Sequence, residues 1–557
     1  MPPEDADRSF PADHAASWRR IRRYAVPRSM IEEATRCRLD GDWRAACAAA
    51  NVDVELDLPA LTVSYGSTVA AAIEEDLPQL VPDLVRWHLP RVLYGGSTIA
   101  PHQVVLLAAY PPEPGRSRKL PYLHLRLPDS PHGSQRLTLT VGPVDRTARI
   151  GRYGPTVAHL IQDWTGARHL WHAGHTDELR ERVGGDVRVP FFRSDGTPVD
   201  ETAILDSGPG EGPAAFTEYV TALHERGRVV EALAAAGIDL EPGEPGRPGY
   251  RYARDPLGRL ARLPVALTRL RPEADRLART TGAQRFQVRH GWPGDLFVER
   301  GDRLRIRVLY DVRDIEAPVL PEASWRRLPD LDLLRRGMID ADRLHPLVRT
   351  ALFPDLAPSG GPVGPPDASL PTPVRVRCGG EWHEVCFADG ELRIPHDEED
   401  PARDGGTGCV AVRRTWRDGV GRLPRGLRSQ RDELLELVRH GDVHGVSRLL
   451  DAGVDPRVRD GRRRSLLHLL HLVDHTVLLP RLLSAGLDLE ARDQDGRTPL
   501  FAAIDGGGSA ALVKALLGGG ARYVGDRTGG SIGALLRSRG RGDLADLLDD
   551  GGSDGSA

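Results

Sequence analysis

The chain has 557 residues, enough for three or four domains, and 40% of them are hydrophobic but only 5% aromatic, so its cores must rely on Leu, Val and Ala. A formal net charge of −4 excludes a general attraction to nucleic acid or to an anionic membrane, and no apolar run reaches the length of a membrane span. Lys119 and Lys514 are the only lysines among 75 basic residues, and neither sits in the setting of a phosphate-binding loop, a kinase strand, a pyridoxal Schiff base or an S-x-x-K nucleophile.

In chain order, residues 1–13 read as disordered and residues 14–206 as a mixed α/β module. Residues 18–56 read as helical, with Pro27 opening one helix and Gly41-Asp42 turning to the next. There WRRIRRYAVPR interleaves Arg19, Arg20, Arg22 and Arg23 with aromatics. Trp18 and Ile21 stand three apart, so an amphipathic helix with solvated arginines explains the stretch, and a nucleic-acid surface is the competing reading. Residues 80–110 combine a helix with the strand-like HQVVLLAAY. YLHLRLP and QRLTLTVGP alternate as strands do. Helices are expected near 157–164 and 176–183.

Between those two helices, His169, His172 and His175 are spaced three apart, an arc of a helix wide enough to share a metal. No H-E-x-x-H pattern is present and Gly174 weakens the helix, so histidines around a turn are the simpler reading, and no metal is assigned to them.

SGPGEGPA marks a boundary before a middle module, residues 215–355. It reads as a helix pair (216–236), the tract EPGEPGRPG, a helix (272–281), antiparallel strands in RFQVRHG and DLFVERGDRLRIRVLYD, and two or three short helices (324–354). A Pro/Gly/Ser linker covers 356–373. In residues 374–421, VRVRCGG, EWHEVCF, ELRIP and CVAVRRTW read as a small β-meander with an acidic loop at 397–404. Cys378, His383, Cys386 and Cys409 lie in it. Their gaps are irregular, and His383 and Cys386 fall on opposite faces of one strand, so core cysteines are preferred to a zinc site.

The C-terminal part of the chain repeats. In DGRTPLFAAIDGGGSAALVKALLGGGA (495–521), Asp-Gly marks a turn, Thr498 caps a helix, Pro499 suits its first position, Gly506 to Gly508 stop it, and a second apolar run ends at Gly520. Ser465-Leu466-Leu467-His468 stands one period upstream of Thr498-Pro499-Leu500-Phe501. Leu449-Leu450, Leu482-Leu483 and Leu516-Leu517 recur with a period of about 33 residues. GALLRSRGRGDLADLLDD looks like a terminal cap. The same cadence echoes in ACAAANVDVEL and ALAAAGIDLEP. These residues resemble the ankyrin repeat over about 429–550. Three positions depart from the pattern: Phe501 for a hydrogen-bonding His, Leu469-Leu470 for a small pair, which should push helices apart, and Pro480, which should shorten or bend its helix.

The resemblance implies a solenoid that binds another protein through exposed turns and the adjoining helices. Arg459, Arg462, Arg463, Arg464, Gln494, Asp495 and Arg497 occupy those turns, and the arginines suit an acidic partner surface through bidentate carboxylate contacts. The resulting expectation is a multidomain α+β protein: mixed α/β N-terminal and middle modules, a small antiparallel β-meander and a C-terminal all-α ankyrin-like solenoid. It is read as a non-catalytic interaction or scaffold protein of the bacterial cytoplasm, with no cofactor. The acidic start and the five cysteines, read as reduced thiols, fit that compartment. The competitors are an enzyme with its site in residues 1–355, which a pocket gathering His169, His172 or Asp177 would support, and a nucleic-acid-binding regulator using the N-terminal arginines.

Overall fold

A computed structural model describes residues 9–93, 95–145, 160–241, 256–289, 295–309, 317–395, 408–523 and 532–545. The predicted disorder of residues 1–8, the start of the helix expected at 157, most of EPGEPGRPG, the acidic loop 397–404 and the end of the last helix lie outside them. The chain forms two compact units, Met1–Pro128 with Arg136–Pro366, and Asp129–Gln135 with Asp367–Ala557. Among the described residues no helix is long and apolar enough to cross a membrane.

The first unit holds two sheets. One has five strands in the order β1-β4-β3-β2-β5: β1 Val52–Glu55, β2 Gln103–Ala109, β3 Pro121–Arg126, β4 Leu137–Pro143 and β5 Leu160–Asp163. β2, read as strand-like, and β3 and β4, read as strands from their alternation, form an antiparallel meander, while β1 runs parallel to β4 and β5 parallel to β2. Both parallel strands correct helical expectations. Each is too short for its own period to decide, and it is the ladder to a distant strand (Val52 beside Leu137, Leu160 beside Gln103) that extends it.

Trp18, Ile21, Ile73, Trp87, Leu107, Leu123, Leu139 and Trp164 fill the core around this sheet. Leu333, Leu344, Val348 and Leu352 join them, although the sequence groups residues 331–353 with the middle module. At the N-terminus the disordered reading ends early: Ser9 and Phe10 are buried and a helix runs over Ala12–Tyr24.

Arg22, on that helix, is not solvated. Its Nε and Nη2 donate to the two carboxylate oxygens of Asp330 at 2.9 and 2.6 Å, and its Nη1 to the Trp87 carbonyl at 2.8 Å. Asp330 is itself fully buried, and Trp87 Nε1 donates to it at 3.2 Å. Arg20 donates to the Gly95 carbonyl and Arg23 to that of Pro366, which leaves Arg19 as the exposed member of the four. Partners distant in sequence claim these side chains, so the cluster is not one basic face.

The second sheet, in the order β6-β9-β8-β7, comprises β6 Ile238–Glu241, β7 Arg285–Val288, β8 Asp295–Glu299 and β9 Leu304–Leu309. β7, β8 and β9 are antiparallel as read; β6 is an unexpected strand, parallel to β9. The helices Gly212–Glu225, Val229–Ala235 and Leu267–Thr281 share its hydrophobic core.

The second unit opens with an antiparallel sheet, β10 Val374–Cys378, β11 Glu381–Ala388 and β12 Glu391–Arg393. CVAVRRTW is not its fourth strand but the helix Cys409–Asp418. Its first residues alternate like a strand, yet the buried set Cys409, Val412, Thr415 and Trp416 follows the helical spacing, and Gly419 ends it in the left-handed region. Helix pairs follow: Arg425–Arg439 with Val443–Asp451, Leu466–Leu472 with His475–Ser484, and Pro499–Asp505 with Ala510–Gly518, then Ile532–Arg539. Each first helix packs on the first helix of the next pair.

The irregular positions have visible consequences. Leu466–Leu472, which carries the bulky Leu469-Leu470, is a 3-10 helix, whereas Pro499–Asp505 is α-helical. Pro480 does not shorten its helix: His475–Ser484 has 10 residues against 9 in Val443–Asp451 and in Ala510–Gly518. His471 is packed so closely that a methyl added at Gly506 would lie 2.5 Å from its ring.

Burial pushes the pKa of His471 down from 6.5 to about 4. The unfolded chain takes up this proton more readily than the folded one, so the stability tied to a neutral His471 is complete above pH 6.5 and is lost as the pH falls toward 4. The full effect is about 3 kcal/mol. Hydrogen exchange over residues 466–505 should therefore accelerate between pH 7 and pH 5, after correction for intrinsic rates, and His471→Leu should flatten that dependence.

Candidate functional site

The turns that join the helix pairs share one construction. Asp460 is buried, and its Oδ1 accepts the backbone N–H groups of Arg462 and Arg464, both at 2.9 Å. Asp493, at the same place in the next turn, is buried too and accepts those of Asp495 and Arg497 at 2.8 and 2.9 Å. Backbone bonds close both loops, from Asp460 to Arg464 and from Asp493 to Arg497. A short acidic side chain that serves as an extra carbonyl is what makes these Asp-containing stretches turns. Neighbouring turns are joined, because Gln494 N donates to Arg462 O at 2.9 Å and His468 Nε2 pairs with Arg497 O at 3.0 Å. Phe501, where the next pair would carry a histidine, stacks on Tyr523 instead.

Of the seven turn residues singled out from sequence, Arg462, Arg463 and Gln494 are exposed and Asp495 is half-buried. The others are committed inward. Arg459 Nη1 donates to the carbonyls of Arg463 and Arg492, Arg464 pairs with Asp460, and Arg497 lies over the Phe501 ring. Arg463 has φ 63°, in the left-handed region that costs a non-glycine residue about 1 kcal/mol. The corresponding position of the next turn is Gly496, at φ 79°.

A site that sequence reasoning missed lies within the first unit. A cavity of about 80 Å³ is lined by Arg22, Arg182, Arg269, Arg326, Arg327 and Arg335, together with Trp18, Trp87, His88, His169, Glu322 and Asp332. Carboxylates balance much of this charge: Arg182 meets Glu273 at 2.8 Å, and Arg335 meets Glu225 at 3.0 Å and Glu201 at 2.8 Å. Even so, the buried Arg182 Nε, Arg269 Nε and Nη2, and Arg326 Nη1 find no hydrogen-bond acceptor among the described residues. Burial lowers the pKa of Arg182 and Arg269 and drives those of His88 and His169 well below the usual imidazole value. Such a space takes several waters or one small oxyanion, which would accept the open N–H groups. In a chain this rich in arginine, nothing local distinguishes these residues.

The three histidines do not form a cluster. Trp171 separates two 3-10 turns, Arg168–Leu170 and Ala173–Glu178, so no single helix aligns them. His169 lines the cavity. His172 and His175 meet edge to face at 4.7 Å, with His175 Nδ1 2.7 Å from Glu178 and His172 Nε2 3.8 Å from Asp76. Neither His172 nor Asp177 lines the cavity. By contrast, the donor atoms of Cys378, His383 and Cys409 all lie within 4.8 Å of one another. Cys386 sits an odd number of residues from His383 on β11, as anticipated, and is not part of this group.

Among known proteins, no family description matches the chain and no curated protein shows significant similarity to it.

Asp493→Ala removes the acceptor of two backbone N–H groups and should cost about 1–2 kcal/mol. Faster exchange of the Asp495 and Arg497 amides, with the first unit's exchange unchanged, is the expected readout.

Proposed function

We propose that the chain is a non-catalytic interaction protein of the cytoplasm. In this reading its second unit carries ankyrin-type helix pairs and offers Arg462, Arg463 and Gln494 to an acidic surface of a partner protein. The observation that carries the reading is Arg463. A glycine would satisfy this backbone position without strain, as Gly496 does in the next turn, yet the chain keeps an exposed guanidinium there. Strain retained at an exposed tip points to use of the side chain. Beside it Arg462 is also exposed, so two planar donor forks are available for carboxylates.

Arg463→Gly separates the two roles. It should stabilise the turn by about 1 kcal/mol and weaken partner capture, while the double variant Arg462→Glu, Arg463→Glu should weaken capture by about 10- to 100-fold. Affinity capture from the native cell type, beside a truncation ending at Gly421, reads this out. Equal recovery of the same partners by the truncation would refute the reading.

The arginine-lined cavity favours a second reading for the first unit, as a receptor for a small oxyanion. The thermal unfolding temperature should then rise in wild type with phosphate or sulfate at millimolar concentration, and not in Arg269→Gln. Indifference of the wild type to both would remove it.

A further inference from the structure

We propose that Cys378, His383 and Cys409 bind one zinc ion. The three come from separate elements that the backbone brings together. Cys378 ends β10, and the tight Gly379-Gly380 turn returns the chain as β11, so that Cys378 pairs with Glu381 and Val376 with His383. Residues two apart on a strand share a face, so Cys378 and His383 are diagonal neighbours on one side of the hairpin. Cys409 is the first residue of the helix Cys409–Asp418 and reaches the same side, with its Sγ 3.7 Å from His383 Nδ1.

These distances fit a shared ion. With zinc–sulfur bonds of about 2.3 Å and zinc–nitrogen bonds of about 2.0 Å, tetrahedral angles place sulfur and nitrogen about 3.5 Å apart and two sulfurs about 3.8 Å apart. The Cys409 Sγ to His383 Nδ1 separation of 3.7 Å is close to this spacing, and no pair of the three donor atoms is more than 4.8 Å apart. Two thiolates and an imidazole are a borderline-soft donor set that selects zinc over magnesium or calcium. Two thiolate charges cancel that of the ion, so the assembly is neutral, as a buried site requires. Cys378 and Cys409 are buried and His383 is half-buried, which leaves the fourth position to water on the open side. The thiolate of Cys409 also gains from lying at a helix N-terminus. Beyond the ligands, Glu381 Oε2 stands 3.7 Å from His383 Nε2, too far for a hydrogen bond, and its side chain is exposed. An ion there would tie β10, β11 and the helix together.

Core thiols hydrogen-bonded to a histidine, or a disulfide between Cys378 and Cys409, are the competing arrangements, and one set of measurements separates them. The full-length chain, purified with reductant and without chelator, should carry about one zinc per chain by elemental analysis. Cobalt(II) exchanged for zinc should show thiolate-to-metal charge transfer in the near ultraviolet and d–d bands of a tetrahedral site. Cys386→Ser should keep the metal. Cys409→Ser and His383→Ala should lose it, whereas His383→Cys, which keeps a ligand, should retain it with a shifted cobalt spectrum; that variant preserves the test if the others fail to fold. The proposal is overturned by a wild-type chain that holds no zinc and takes up no cobalt, by equal metal content in the Cys386 and Cys409 variants, or by an intact mass showing Cys378 joined to Cys409.

Discussion

Asp455 is a fully buried carboxylate on which the second unit converges. It accepts from Arg457 Nε at 2.8 Å, from Arg457 N at 3.0 Å and from Arg417 Nε at 3.1 Å, and its own carbonyl accepts from Trp416 Nε1 at 3.1 Å. Arg457 also bonds to Glu391 of the sheet. One charge thus holds three pieces together: the β-meander, the Cys409–Asp418 helix and the first helix pair. A buried charge is tolerable only when paired, so the donors that converge on Asp455 leave the arrangement little freedom to slip. Both candidate sites of this unit inherit that rigidity. The helix that carries Cys409 is fixed at its far end, and Arg459 N donates to the Trp416 carbonyl at the start of the first exposed turn.

The first unit uses the same chemistry in its interior. Arg22 and Asp330, 308 positions apart, form a buried bidentate pair, and His345 meets Asp83 at 2.9 Å with both side chains buried. Arginine serves here because its planar fork satisfies both oxygens of a carboxylate at once. Not every guanidinium N–H in this interior finds a carboxylate. In the arginine-lined space among Trp18, Trp87 and Phe191, the buried Arg182 Nε and Arg269 Nε find no acceptor among the described residues.

The two sets of potential metal ligands show why spacing alone misleads. His169, His172 and His175 have regular spacing, but the chain breaks direction at Trp171 and the rings serve different neighbours. Cys378, His383 and Cys409 are irregularly spaced and converge, because a hairpin and a helix start meet there. Regular spacing predicts proximity only within one unbroken element. The loops between elements decide everything else.

Much of the local structure was legible. The turn at Asp495-Gly496, the caps at Thr498 and Gly520, the alternation in β3 and β4, and the helical spacing of the C-terminal pairs are instructions written over a few neighbouring positions, which need no distant partner to act. The exposed tip at Arg462 and Arg463 could be located for the same reason. What only the tertiary structure decided concerns groups without a local preference strong enough to settle their state. β1 and β5 are strands because another strand lies beside them, CVAVRRTW is a helix because its buried side follows the helical spacing, and Arg22 is internal because Asp330 receives it. Short-range signals report the backbone's own energetics. Burial, pairing of charge and convergence of ligands belong to the contacts made when remote segments meet, and no stretch of this chain carries those contacts by itself.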